Sequence, residues 1–201
     1  MEEKILRVFL YNHKLKFSEI EKQLNIRSNK LAYHIKNLEK KGIIVKDEDF
    51  YRLSDTAEEL IPYLTQKKSV LPVILIAIGN KNRFFLYKRE KRPFKNKLSL
   101  PGGRILLRET IPKATQRLMK KFKINAKFKK INSISLEKVK KNKKILHSFL
   151  LIFVTAQTKD KLDLTDINKN KSKIISSDYK LIKNDINKEV KIKNITTMNY
   201  T

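Results

Sequence analysis

Pro101-Gly102-Gly103, preceded by Leu98-Ser99-Leu100 and followed by Glu109 and Arg117, constrains this chain more than any other stretch. The protein has four glycines, and two of them stand side by side here after a proline. Such a backbone either turns tightly or lets another group approach where a Cβ would not fit. Five residues separate Gly103 from Glu109 and seven separate Glu109 from Arg117, so one acid and one base follow the glycines at fixed intervals. On a helix through Arg117, positions 118, 121 and 122 share a face by their three- and four-residue spacing, and that face offers Leu118, Lys121 and Phe122.

This order resembles the Nudix box, in which Gly, five residues, Glu and seven residues lead into Arg-Glu-apolar-x-Glu-Glu-x-Gly. Gly103, Glu109 and Arg117 fall on their family positions, and Met119 on the apolar one. Leu118 stands where the family has its first helical Glu, Lys121 and Phe122 where it has the Glu pair, and Ile124 where it has the last Gly. Those missing carboxylates are the family's divalent-cation ligands and acid-base groups. Magnesium requires oxygen ligands in near-octahedral geometry, and an ammonium at 121 repels the ion as well as failing to bind it. The resemblance therefore implies the fold and a phosphate-facing pocket while arguing against hydrolysis: no catalytic residue, no metal ligand and no cofactor are expected. Magnesium enters only under the alternative of an active Nudix pyrophosphohydrolase acting on nucleoside diphosphate derivatives, for which Glu90 and Glu137 are the candidate ligands. Gly102, Gly103, Arg104 and Arg108 are expected to border a pocket for a nucleotide-type small ligand, with loop amides as donors. Glu109 and Arg117 are expected to form a structural ion pair bracing the loop against the helix.

Charge points the same way. The 201 residues carry a formal net charge of +27, and the excess sits in the middle: 23 Lys and Arg stand against three acids between 69 and 158, compared with 14 against 11 before and 10 against 6 after. Three acids are little from which to build a magnesium cage, and the field attracts polyanions, meaning nucleic acid or phosphorylated ligands. A chain this rich in Lys, Ile and Asn also reads as the product of an AT-rich genome, in which lysine is solvated surface. There is no cysteine, hence no disulfide framework or thiolate site. The first residues are charged, and the apolar run Val70 to Ile78 is too short to span a bilayer, so a soluble, cytoplasmic protein with no membrane partner is expected.

The first 66 residues read as one domain. Ile5, Leu6, Phe9 and Leu10 form a helical stripe over 2 to 12, and Ser18-Glu19-Ile20-Glu21 reads as a capping box opening a helix to about Leu24. After the turn Asn25-Ile26-Arg27, Ser28 is expected to cap a third helix that buries Leu31, Ile35 and Leu38 and ends at Gly42 in a left-handed cap. Ile43 to Val45 and Phe50 to Leu53 read as a hairpin around Asp47-Glu48-Asp49, and Ser54-Asp55-Thr56 caps a last helix through about Leu64. The stretch Leu24 to Ile35, with Leu38-Glu39-Lys40-Lys41-Gly42-Ile43-Ile44, is similar to the recognition-helix region of winged helix-turn-helix regulators of the ArsR-like type. That resemblance covers the whole domain and implies double-stranded DNA as partner. Asn29, Lys30, Tyr33, His34 and Asn37 would point outward, with Asn29 placed for base edges, and Arg27, Lys30 and Lys36 suit phosphates around the helix start at Ser28. The alternative is that Tyr33 and His34 cover the wing and the domain mediates protein contacts.

From 70 to 201 a second domain is expected. Val70 to Ile78 and Arg83 to Arg89 read as a strand pair around Gly79-Asn80-Lys81-Asn82, followed by the basic loop Arg89 to Lys97 and a helix from about Pro112 to Lys123 whose face is Ala114, Leu118 and Phe122. Lys127 to Leu136 and Ile145 to Gln157 read as strands joined by a lysine-rich loop, Lys138 to Lys144, with His147 read as a hydrogen-bonded strand residue in preference to a general base. Residues 159 to 171 read as loop, and Tyr179-Lys180-Leu181-Ile182 resembles the late strand of the Nudix fold. The expected class is α+β: a winged helix-turn-helix domain followed by a Nudix-like α/β/α sandwich with a mixed sheet. The expected function is a DNA-binding transcription regulator, acting as a homodimer, whose degenerate Nudix-like domain senses a nucleotide-type ligand or holds the dimer. Beside the hydrolase alternative stands an RNA-binding protein, resting on Phe94 and Phe128 among lysines.

Overall fold

The structure is a computed structural model in which residues 1–58 and 69–198 are described. The chain divides into two compact units, Met1–Ser69 and Val70–Thr201.

In the first unit, α1 (Glu2–Val8), β1 (Lys14–Lys16), α2 (Phe17–Leu24), α3 (Ser28–Lys40), β2 (Ile44–Asp47), β3 (Phe50–Leu53) and α4 (Asp55–Glu58) follow in order. The strands form one antiparallel sheet, ordered β1-β3-β2. Ile5, Phe9, Leu15, Ile20, Leu31, Ile35, Leu38, Ile44 and Leu53 make its core, the apolar stripe of each helix meeting one face of the sheet. Two caps differ from the sequence reading. Ser18 lies inside α2, and Glu19 caps that helix by accepting from the Lys16 amide at 2.6 Å. Ser28 likewise lies inside α3, preceded by Arg27 in extended geometry, and its hydroxyl donates to Glu21 of α2. Ser28 thus sits one position, and Ser18 two positions, beyond the cap residue from which a hydroxyl reaches the free amides. Gly42, at φ +65°, ends α3 as expected of a left-handed cap: its amide donates to Glu39 and that of Ile43 to Leu38, both at 2.9 Å. Ser54 caps α4 through the Ala57 amide at 3.2 Å; the rest of the expected helix to Leu64 lies outside the described residues.

The second unit is a three-layer arrangement around a mixed sheet. Its elements are β4 (Leu71–Ala77), β5 (Gly79–Asn80), β6 (Arg83–Phe84), β7 (Tyr87–Lys88), β8 (Leu98–Ser99), β9 (Gly102–Arg104), α5 (Ile111–Lys120), β10 (Lys127–Lys141), β11 (Lys144–Gln157), β12 (Thr165–Asp166), a 3-10 turn (Lys171–Lys173) and α6 (Ser176–Asp185). The main sheet runs β10-β11-β4-β9; β4 is parallel to β11 and antiparallel to β9. Alternation along β4 and β11 splits the core. Ile74, Ile76, Ile152 and Val154 pack under Ala114, Leu118 and Met119 of α5, while Leu75, Ala77, Leu151 and Phe153 pack under Leu181 and Ile182 of α6.

Several local expectations give way to this arrangement. The run 71–77 pairs with β11 and β9, so the expected hairpin with 83–89 shrinks to β5 against β6, which also takes β12 from the 159–171 stretch. The expected loop 138–144 is paired strand up to Lys141↔Lys144. Residues 179–182 lie in α6, where Leu181 and Ile182 are neighbours on the buried side. The helix expected at Pro112 to Lys123 spans Ile111–Lys120, capped by Thr110, whose hydroxyl accepts from the Lys113 amide at 3.4 Å. Among the described residues no helix is long and apolar enough to cross a membrane.

Candidate functional site: a cationic cleft and an exposed helix

Gly102 and Gly103 are strand residues paired with Leu75 and Ile74, so their lack of a side chain serves close approach rather than a turn. A Cβ on Gly102 would meet the Ile74 carbonyl oxygen at 2.5 Å, and one on Gly103 would meet Leu118 Cδ2 at 2.5 Å. The loop after β9 is held by Glu109 and Arg117. Glu109 Oε2 accepts from Arg117 Nη2 at 2.8 Å and from the Leu106 amide at 3.0 Å, Oε1 accepts from Arg117 Nε, and Nη2 also donates to the Arg104 carbonyl at 2.9 Å. The Arg117 hydrogen bonds, with the Leu106 amide, hold the Glu109 carboxyl down at about 2.

Beside this brace lies a cleft of about 670 Å³. Gly102, Gly103 and Arg104 line it, as does Lys121; Arg108, at φ +65° in the following loop, does not. Lys88 at the end of β7, with Arg89, Lys91, Arg92 and Phe94 of the loop between β7 and β8, forms another wall. Arg89 closes that loop by donating from Nε to the Pro93 carbonyl at 2.7 Å. Tyr87, Phe122 and Phe149 supply aromatic surface, Phe122 resting tilted against Tyr87 at 4.9 Å between ring centroids. His147 also lines the cleft: it is exposed and stacked on Phe149 at 6.0 Å, a contact in place of the hydrogen-bonded role expected from its strand position.

Three acids reach the cleft: Glu90, Glu137 and Asp178. Asp178, in the first turn of α6, is buried, and its Oδ2 accepts from the Leu100 amide at 2.8 Å and the Ser99 hydroxyl at 3.0 Å. Burial pushes its carboxyl up to about 6 against the pull of those two donors. Nothing at the Pro-Gly-Gly stretch pointed to Asp178; the only signal was Ser-Ser-Asp at a possible helix start.

The residues present do not fit the divalent cation that the Nudix resemblance implies. Leu118 is buried in the core, Phe122 packs on Phe85 and Tyr87, and Lys121, a cation, lines the cleft. Among the described residues no three His, Cys, Asp or Glu side chains gather as a group able to hold a metal.

In the first unit, α3 exposes Ser28, Asn29, Lys30, Tyr33 and Lys36, with Arg27 exposed just before it. Tyr33 is 65% exposed. His34 and Asn37 are half-buried instead, and His34 Nδ1 is buried with no hydrogen-bond partner among the described residues. Helical geometry accounts for this: 29, 33 and 36 lie opposite the core stripe 31, 35 and 38, whereas 34 falls at its edge.

No family model matches the sequence, and no curated protein matches it. Solved structures to which the chain is similar include a MutT protein from Methanosarcina mazei (14% identity, TM-score 0.48, covering 59% of this chain and 94% of that one). A Nudix hydrolase from Nitrosomonas europaea gives 16% identity and a TM-score of 0.46 over 59% of this chain and 70% of that one. The Nudix domain of Shewanella oneidensis NrtR, crystallised in complex with ADP ribose, gives 13% identity and a TM-score of 0.46 over 63% and 94%.

Proposed function

We propose that the protein is a DNA-binding transcription regulator whose C-terminal unit binds a nucleotide-type anion without hydrolysing it. The observation that carries the ligand half is the cleft wall, where Arg104 and Lys121 present cations and Leu118 fills the space against Gly103. A phosphate-bearing ligand meets charge there, and the Tyr87, Phe94, Phe122 and Phe149 surface suits a flat ring. The DNA half rests on α3, whose exposed Asn29, Lys30 and Tyr33 follow a short turn from α2. One such helix reads few base pairs, so a two-fold homodimer on paired half-sites belongs to the same reading.

Glu90 and Glu137 on the cleft keep a Nudix pyrophosphohydrolase as the second reading. Calorimetry with ADP-ribose and nucleoside diphosphates, with and without magnesium, beside a turnover assay, separates the two. Binding that needs no magnesium and yields no product supports the sensor. Magnesium-dependent hydrolysis at about 1 per second or faster overturns it. Duplex DNA bound no better than single strands at the same salt overturns the regulator half and favours the RNA-binding reading.

A further inference from the structure

The hairpin of β10 and β11 outruns the sheet that it belongs to. β4 pairs with β11 only from Phe149 onward, so residues 138–148 form a two-stranded ribbon held by its own ladder, Lys138↔Ser148 through Lys141↔Lys144. Lys138, Lys140, Lys141, Lys143 and Lys144 are all exposed on this ribbon, and none is ion-paired among the described residues. Between 138 and 148 there is no acid.

Lys141 and Lys144 face each other directly across the ladder, with Lys143 in the turn between them. Like charges in that position repel and weaken the pairing. A polyanion lying along the ribbon would remove the repulsion and release its own counterions. The ribbon suits a duplex in size: four or five residues per strand give about 15 Å of length, and a two-stranded ribbon is an element that the major groove of B-DNA, about 12 Å wide, admits. The register shift between Val139 and Lys140 leaves one more residue on β11 than on β10, and such a bulge increases strand twist. Single strands are held on aromatic platforms, and the ribbon has no Phe, Tyr or Trp between 138 and 148. The deep, narrow major groove of A-form RNA excludes an element of this width.

We propose that the ribbon tip is a second nucleic-acid surface, separate from α3, which grips the phosphates of duplex DNA without reading sequence. The choice of duplex DNA rests on the regulator reading together with the ribbon's dimensions and lack of aromatic residues; the exposure and pairing of the lysines are independent of that reading. The test uses the full-length protein with Lys140, Lys141, Lys143 and Lys144 all changed to Gln, a second variant with all four changed to Arg, and duplex DNA titrated from about 50 to 200 mM salt. Each phosphate contact contributes about 0.9 to the slope of log affinity against log salt. The Gln variant should lose about 2 to 4 from that slope and bind more weakly, with sequence preference unchanged, while the Arg variant keeps the wild-type slope. Wild-type slope in the Gln variant, with duplex binding intact, overturns the ribbon proposal and leaves α3 standing. No duplex binding by the wild type overturns both. A larger loss for single-stranded RNA than for duplex DNA in the Gln variant overturns the choice of partner.

Discussion

Leu118 occupies the space that a side chain at Gly103 would need: Leu118 Cδ2 lies 2.5 Å from the position of a Cβ there. A glycine in β9 and a leucine in α5 thus interlock across the layer between strand and helix. Leu118 is fully buried, so the position that carries a metal-binding glutamate in the Nudix box is here part of the core.

Gly103→Ala is expected to overpack this contact at a cost of about 1 to 3 kcal/mol, and Leu118→Ala to cost about 2 to 5 kcal/mol. Because the two residues share one space, the double variant should cost less than the sum. Denaturant unfolding of all three checks this; simple additivity would mean that the residues do not couple. Leu118→Glu should unfold the unit rather than create a metal site, since it buries a charge.

Glu109→Ala is expected to lower the melting temperature at neutral pH. The folded carboxyl titrates at about 2 against an ordinary 4.5. A depressed acid contributes stability above its unfolded value and loses it as pH falls through the folded one. The difference in melting temperature between wild type and variant should therefore be full at pH 7 and shrink between pH 4.5 and 2. A gap that persists below pH 2 would assign the effect to packing.

Asp178 has the opposite sign. Its carboxyl is raised from 3.8 to about 6, so the folded state holds the proton more tightly and this group favours folding below pH 3.8. That contribution is lost as pH rises through 6. At 1.36 kcal/mol per pKa unit the swing is about 3 kcal/mol. Relative to wild type, Asp178→Asn should gain stability steadily from pH 4 to 6 and level off above. Parallel melting curves across that range would refute the assignment.

Tyr33 and His34 are expected to separate recognition from folding. Exposed Tyr33→Ala should leave the melting temperature within a degree or so and weaken duplex binding by about 1 to 3 kcal/mol, the range for a lost base contact. His34→Ala should act mainly on stability, because its ring is half-buried and meets Tyr33 edge-on at 5.3 Å. Melting curves and DNA titration of both variants decide it; a His34→Ala change confined to sequence preference would return that residue to the readout.

Local chemistry by itself determined a good deal. The stripes Leu31, Ile35, Leu38 and Ala114, Leu118 follow helical period, and both proved buried faces of helices. Gly42 marked the end of α3 because only a left-handed residue closes a helix in that way. The interval between Glu109 and Arg117 put an acid and a base within reach, and the absence of carboxylates at 118, 121 and 122 was plain from residue identity. Tertiary structure alone decided which strands meet. The partner of β4 is β11, more than seventy residues away, and no local pattern encodes a parallel pairing across that distance. That pairing leaves no place for a long hairpin at 71–89. The antiparallel pairing of β9 on the other edge of β4 puts Gly102 and Gly103 in a strand, and the fold around it brings Asp178 to the cleft beside Leu100. Short apolar runs such as 179–182 suit strand and helix equally, and here the sheet face carrying Leu75, Ala77, Leu151 and Phe153 settled the matter, because Leu181 and Ile182 bury against it from one side of α6.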